Sequence, residues 1–133
     1  MNPEPLGKTI ALAQNIGHVL VATADSKGLP QVAPADKMTL LPEEKKVTVE
    51  AWFCRGTVAN LQSNRQIALV TWDSKADKGY QVLSVTEGVE DTALLDGLAP
   101  GLESMLPQGE KRLYIRVAKV IAFQHAPHTD QEQ

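Results

Sequence analysis

Six short segments rich in β-branched and aromatic residues, set apart by clusters of Gly, Pro, Asp and Ser, leave this chain few folds to choose from. Residues 18–24 (HVLVATA) read as a strand and 25–28 (DSKG) as a turn. A second strand begins near Leu29, so the two make a β-hairpin. The second strand runs through PQVAPADKMTLL, where Pro30 and Pro34 have no N–H to give to a ladder. Part of it must lie at an edge or in a bulge, with backbone open to other contacts. Residues 42–46 (PEEKK) turn the chain into a third strand at 47–53. Residues 66–72 (QIALVTW) are almost all apolar and suit a central fourth strand, which the polar loop DSKADKG returns to a fifth, GYQVLSVTEG. Residues 112–123 (RLYIRVAKVIAF) alternate apolar with polar and make the sixth.

Helical spacing occupies the rest. Leu6, Ile10, Ala13 and Ile16 recur at intervals of three and four, with Pro5 suited to a first turn and Gly17 to a helix end. Thr57 suits an N-cap of a short helix that carries Val58 and Leu61 on one face and ends near Ser63 or Asn64. Between Val89 and Leu106, the residues Leu94, Leu95, Leu98, Leu102, Met105 and Leu106 fall at roughly helical spacing, interrupted by Gly97, Pro100 and Gly101. Two short helices are expected there. No repeat or linker divides the chain, so residues 1–124 form one domain and 125–133 (HAPHTDQEQ) a flexible tail. Six strands with mostly hairpin-length connections and three or four peripheral helices make a mainly β protein, a six-stranded antiparallel barrel with helices outside it.

Composition removes several function classes. The chain has 133 residues, enough for one buried core, and 43% hydrophobic with 22% charged residues is ordinary globular usage. A formal charge of −3 provides no positive field to hold a polyanion, and the few aromatics are not interleaved with Lys and Arg, so nucleic acid is not an expected partner. One cysteine, Cys54, allows no internal disulfide, and no apolar run approaches the ~20 residues that span a bilayer. A cytoplasmic protein without membrane partners is expected.

The stretch 52–64 (WFCRGTVANLQSN) is the candidate site. A strand ends at a basic residue and a glycine, and a helix opens. The first N–H groups of a helix have no internal partner and its dipole is positive there, so an anion is stabilised, most simply a phosphate. Arg55 adds a full charge, Gly56 lets the backbone approach closely, and the Thr57 hydroxyl can bond either the phosphate or its own helix.

The order of helix, hairpin and Pro-containing strand, then W-x-x-R-G-T-x-x-N-L-x-x-N, an apolar strand ending Thr71-Trp72-Asp73, and the segment KGYQV resembles the FMN-binding split-barrel family related to pyridoxamine 5′-phosphate oxidase. The resemblance covers about residues 6–123. Its most specific parts are the spacing of Thr57, Asn60, Leu61 and Asn64 before a strand, and GYQ at 79–81. It implies a six-stranded antiparallel split β-barrel, a homodimer that holds FMN in a cleft between subunits, and a small-molecule redox substrate or electron donor. On this chain the flavin ring would face the backbone of Ala35, Asp36, Lys37 and Met38 with Glu50, Ala51 and Trp52 beside it. The phosphate would meet Arg55, Gly56 and Thr57, and Gln81 would support the phosphate end or the ribityl chain.

Within that frame Lys37 would place positive charge where negative charge develops on reduction of the ring. Met38 would either press its sulfur on the ring or fill core. Trp52 is assigned to the site and Trp72 to packing within the barrel, while Asn60 ties down a loop. Family members commonly carry Lys or Arg immediately before the residue matching Thr57, where this chain has Gly56 with Arg55 one position earlier. The basic C-terminal segment by which true pyridoxamine phosphate oxidases hold their substrate is missing, so vitamin B6 oxidation is not expected. His125 and His128 lack a third ligand nearby, so no metal site is expected. Cys54 has no His or Asp beside it and reads as a buried thiol. No catalytic side chain is nominated. The expectation is an FMN-dependent oxidoreductase or electron carrier. The alternatives are a deazaflavin or haem on the same barrel, or a cofactor-free dimeric binding module.

Overall fold

The computed structural model describes residues 3–43, 45–52, 55–95, 108–125 and 129–132. Its elements are α1 (Pro3–Ile16), β1 (Val19–Ala24), β2 (Pro30–Leu40), β3 (Lys46–Trp52), α2 (Arg55–Ser63), β4 (Gln66–Asp73), β5 (Lys78–Leu95), β6 (Gln108–Gln124) and β7 (Thr129–Glu132). Among the described residues every strand pairing is antiparallel, in the order β3-β2-β1-β4-β5-β6, and β3 also pairs with β6 from Lys46↔Arg116 to Trp52↔Glu110, which closes a six-stranded barrel. β7 pairs with residues 121–124 of β6, beyond the point where β3 leaves off.

Period-two alternation fills the barrel. Val19 and Val21 of β1, Val47 and Val49 of β3, Ile67 and Leu69 of β4, Val82 of β5, and Leu113, Ile115 and Val120 of β6 share one buried cluster. Burying each such side chain is worth roughly 1.5–3 kcal/mol. α1 packs on β2, β4 and β5, with its end beside the start of β1, and adds Leu6, Ile10 and Ala13 to the cluster. Its fully buried Thr9 hydroxyl donates back to the Pro5 carbonyl at 2.8 Å, and Gly17, at φ +98°, ends the helix with its N–H on the Ala13 carbonyl at 2.8 Å. α2 lies against the other end of β1, burying Thr57, Asn60 and Leu61.

Four expectations change. The segment expected to turn helical after Val89 is strand as far as Leu95, paired with β6 through Leu95↔Gln108; residues 96–107 lie outside the described residues. Gly88, taken from sequence as the end of the fifth strand, instead sits at a bulge that lets the ladder continue, and Glu90 and Asp91 then meet Arg112 and Lys111 across the strands. Helix α2 begins at Arg55, so Thr57 lies within its first turn and is not the N-cap. Trp72 is not inside the barrel: it lies on the outer face, 37% exposed, stacked on Phe123 with ring centroids 5.2 Å apart and planes 9° apart.

Gly79 stands between those two rings, opposite Trp72 in one ladder and Phe123 in the next. A Cβ there would lie 2.7 Å from Phe123 Cζ and 2.8 Å from Trp72 Cε3, and closer still to the Thr71 carbonyl oxygen, which is backbone and cannot yield. Gly79→Ala should therefore cost about 1–3 kcal/mol through overpacking. The denaturant midpoint, followed by tryptophan fluorescence, checks this; an unchanged midpoint would mean the stack gives way freely.

Candidate functional site

Among the described residues the ladder between β2 and β3 lies toward one end, at Asp36↔Glu50, Thr39↔Thr48 and Leu40↔Val47. Residues 30–35 of β2 pair with β1, whereas Ala51 and Trp52 of β3 follow β6 at Lys111 and Glu110. The two strands part company, and the first turn of α2 stands at the parting. The edge expected from Pro30 and Pro34 falls in this half of β2.

Arg55 is exposed at the first position of the helix. Gly56, next to it, is covered by the carboxamide of Gln31: a Cβ at position 56 would lie 2.7 Å from Gln31 Oε1 and 2.9 Å from its Cδ. Asn60 Nδ2 donates to Thr23 Oγ1 at 3.0 Å and to Gln31 Oε1 at 3.5 Å, so it ties α2 to β1 and β2 where the sequence had it tying down a loop. Asn64 Nδ2 reaches the Asp25 carbonyl at 3.4 Å. Thr57 is only 1% exposed and its hydroxyl has no hydrogen-bond partner among the described residues. Cys54 lies outside the described residues, as do the contacts of the Trp52 side chain.

The other group of candidate residues sits at the bulge of β2. Ala35 and Met38 are core, so they offer backbone alone to anything outside; the sulfur of Met38 fills the barrel. Lys37 bulges out at φ +52°, a conformation that costs a non-glycine residue on the order of 1–2 kcal/mol. Its ammonium lies 3.3 Å from Glu50 Oε2. Glu50 is 8% exposed, and Arg112 Nη2 donates to its Oε1 at 3.1 Å. Arg112 and the Tyr114 hydroxyl both reach Glu90 Oε1, at 3.4 and 3.3 Å. Burial alone would raise the Glu50 pKa, but the hydrogen bonds and charges of Arg112 and Lys37 outweigh it and hold the carboxyl below its ordinary value. Tyr114 and Glu50 in turn hold the Arg112 guanidinium above its own. Lys37 is thus an ion-paired, largely exposed cation. Behind it a hollow of about 390 Å³ runs between the end of α1 and the bulge, with Ala13, Val19 and Met38 buried and His18, Asp36 and Lys37 exposed.

Gln81 is not brought to this place. It sits on β5 between Val70 of β4 and Ile121 of β6, on the face opposite the buried Val82, with β4 and β1 standing between it and β2. Gln31 and Arg112 were missed in the sequence. The first lies in the segment whose prolines marked it as open, but nothing local distinguishes its amide; the second meets Glu50 only through the barrel closure.

No family model matches the sequence, and no curated protein does. Solved structures do. A Clostridium acetobutylicum protein related to general stress protein 26 of B. subtilis, of the pyridoxinephosphate oxidase family, is 15% identical with a TM-score of 0.65, over 99% of this chain and 96% of that one. A pyridoxamine 5′-phosphate oxidase-related, FMN-binding protein from Nostoc punctiforme is 8% identical with a TM-score of 0.66, over 99% and 90%. An F420 reductase is 14% identical with a TM-score of 0.54, over 78% and 88%. This chain has the split-barrel fold of the pyridoxamine 5′-phosphate oxidase-like proteins. In this split barrel the parting of β2 and β3 is the split at which α2 begins. Among the described residues no three His, Cys, Asp or Glu side chains could hold a metal, and His125 gives its N–H to Asp77 Oδ1 at 2.8 Å. His128 lies outside the described residues. No helix among them is long and apolar enough to cross a membrane.

A carboxylate whose pKa is lowered on folding stabilises the fold above its unfolded pKa, about 4.3 for glutamate, and that contribution fades as pH falls through the folded value. Wild type should thus lose stability on the acid side of pH 4.3 in part through Glu50. Glu50→Gln should be less stable at neutral pH and converge on wild type in acid. Urea midpoints at pH 7 and pH 3.5 give the comparison; two parallel profiles would show that Lys37 and Arg112 do not stabilise the charged form.

Proposed function

We propose that this chain is an FMN-binding flavoprotein, an oxidoreductase or electron carrier that works as a cytoplasmic homodimer. The observation that carries the reading is the first turn of α2 opening at the split, with Gly56 lying under the Gln31 carboxamide and Arg55 exposed beside it. The split-barrel proteins of like fold include one described as FMN-binding. The residues fit a phosphate: the N–H groups of the first turn and the Arg55 guanidinium would hold it, and Thr57, its hydroxyl buried, would contribute through its N–H. The backbone of Ala35, Asp36, Lys37 and Met38 and the end of β3 at Glu50, Ala51 and Trp52 would flank the ring. When bound, FMN supplies hydride or single-electron transfer. The chain orients it, excludes water and fixes the local charge through Lys37, Glu50 and Arg112.

What supports the homodimer is where Gln81 stands. Around it the outer face of β1, β4, β5 and β6 carries half-buried Leu20, Val70, Leu83, Val85 and Ile121, and a groove of about 460 Å³ runs across β1, β4 and β5. A second copy covering this face would bury apolar area and carry its own Gln81 toward the first copy's split. A deazaflavin is the second reading, favoured by the fold shared with an F420 reductase and by the lack of a basic side chain at position 56.

Purified protein should absorb near about 450 nm, as flavins do. A sample that binds F420 but ignores FMN supports the second reading, a Soret band would point to haem, and a colourless sample that takes up no cofactor points to a binding module. Arg55→Ala should weaken FMN binding roughly tenfold, the loss of one charge-assisted contact, measured by quenching of flavin fluorescence. Leu83→Glu, on the apolar face, should give a folded monomer in sedimentation and lose FMN with the dimer. A Leu83→Glu dimer with bound FMN would place the subunit contact elsewhere.

A further inference from the structure

We propose that Glu50 sets the reduction potential of the bound flavin by holding Lys37 and Arg112 as its own counter-charges, so that the ring meets a balanced group of charges in place of two cations. The proposal rests on the flavin reading above, with the ring against the bulge of β2, and names the residue that tunes it. Strand pairing places the group in one row. Asp36 of β2 is the register partner of Glu50 on β3, Glu50 of Arg112 on β6, and Arg112 of Glu90 on β5. Residues directly opposite one another share a face of the sheet, and Val47 and Val49 fill the barrel, so the row lies on the outer side. A glutamate on an outer face is ordinarily solvated, yet this one is 8% exposed.

Its two oxygens have separate duties. Oε1 accepts from Arg112, whose guanidinium is held from the far side by Glu90. Oε2 is buried with no hydrogen-bond donor of good geometry among the described residues, so the Lys37 ammonium, 3.3 Å away, is the charge that compensates it. The Lys37 side chain is 70% exposed and rises from left-handed backbone, so without Glu50 it would be free to turn toward another negative charge. Two-electron reduction of a flavin with uptake of one proton leaves one negative charge on the ring, which a nearby cation stabilises. A carboxylate fixed between Lys37 and Arg112 opposes that, and its burial keeps solvent and salt from screening it fully.

The test loads the protein with FMN and reduces it anaerobically with dithionite beside a reference dye, reading the ratio of reduced to oxidised flavin by absorbance at a fixed poise. Glu50→Gln, which removes the charge and keeps the shape, should raise that ratio about tenfold, a shift of about 30 mV for a two-electron couple. Lys37→Gln should lower it by a similar factor, and the double variant should return close to wild type. Both single variants break the same ion pair, so a merely loosened site would move them in one direction; opposite signs report charge. If Glu50→Gln does not hold FMN, Lys37→Gln decides alone, and a ratio that fails to fall overturns the proposal. A wild type that takes up no FMN overturns the flavin reading and this proposal with it. Loaded variants whose ratios stay at the wild-type value, or shift the same way, overturn this proposal and leave the flavin reading standing.

Discussion

Closure of the sheet through β3 and β6 is the constraint from which the rest of this structure follows. A six-stranded sheet left open would expose two hydrogen-bonding edges and a half-covered core. The seven-residue ladder from Lys46↔Arg116 to Trp52↔Glu110 removes those edges and holds β3 to β6 along its whole length. On its other edge β3 pairs with β2 at Val47, Thr48 and Glu50, while residues 30–35 of β2 stay with β1. The barrel closes at one end of that hairpin and splits at the other. Helix α2 begins where β3 runs out, so its unpaired N–H groups stand at the split as a result of closure.

Closure also brings charge together. Asp36 and Glu50 are direct register partners on adjacent strands, an arrangement that is unfavourable for like charges. Arg112 arrives opposite Glu50 through the β3–β6 ladder, and Lys37 arrives because β2 bulges there and throws its side chain across. The left-handed backbone of Lys37 is thus offset by the ion pair it permits, with Glu50 buried between two cations and ionised. A segment under that kind of local strain is found where a structure needs a particular shape of backbone, and this is the stretch a flavin ring would face. Whatever sits there meets a carboxylate already paired and a lysine already engaged, so the electrostatics felt by a ligand come from the whole group.

Much of this was legible in one sequence because it is local. Period-two alternation identified the strands, the Pro30 and Pro34 backbone announced an open edge, and R-G-T after an apolar run announced a helix start at a strand end. What was not legible depends on distant pairing. Leu94 and Leu95 have helical spacing, yet the partners Arg112 and Lys111, some twenty residues on, fix Glu90 and Asp91 as strand neighbours. Trp72 looked like barrel filling because its neighbours are apolar, but inside and outside alternate along β4, and position 72 falls on the outer side with Val70. Thr57 looked like a cap because the helix was started two residues late. Gln31 carries no signal of its own; only the absence of a Cβ at Gly56, twenty-five residues further along, gives its amide a place to lie.

The same alternation explains why one copy of the chain holds the parts of its site on separate faces. On a closed barrel an outward residue of β5 and the mouth of α2 are separated by β4 and β1, and no side-chain motion crosses that distance. A glutamine reaches about as far as the next strand, given strands ~4.8 Å apart. Gln81 can therefore belong to the same site as Arg55 and Gly56 only if a second barrel carries it there. The face that would have to be covered for that to happen carries half-buried Leu20, Val70, Leu83, Val85 and Ile121 and is flanked by the Trp72–Phe123 stack that Gly79 makes room for. In the proposed homodimer, burial of that face and completion of the site would be one event, and a ligand spanning both copies would stabilise the pair by its own binding energy.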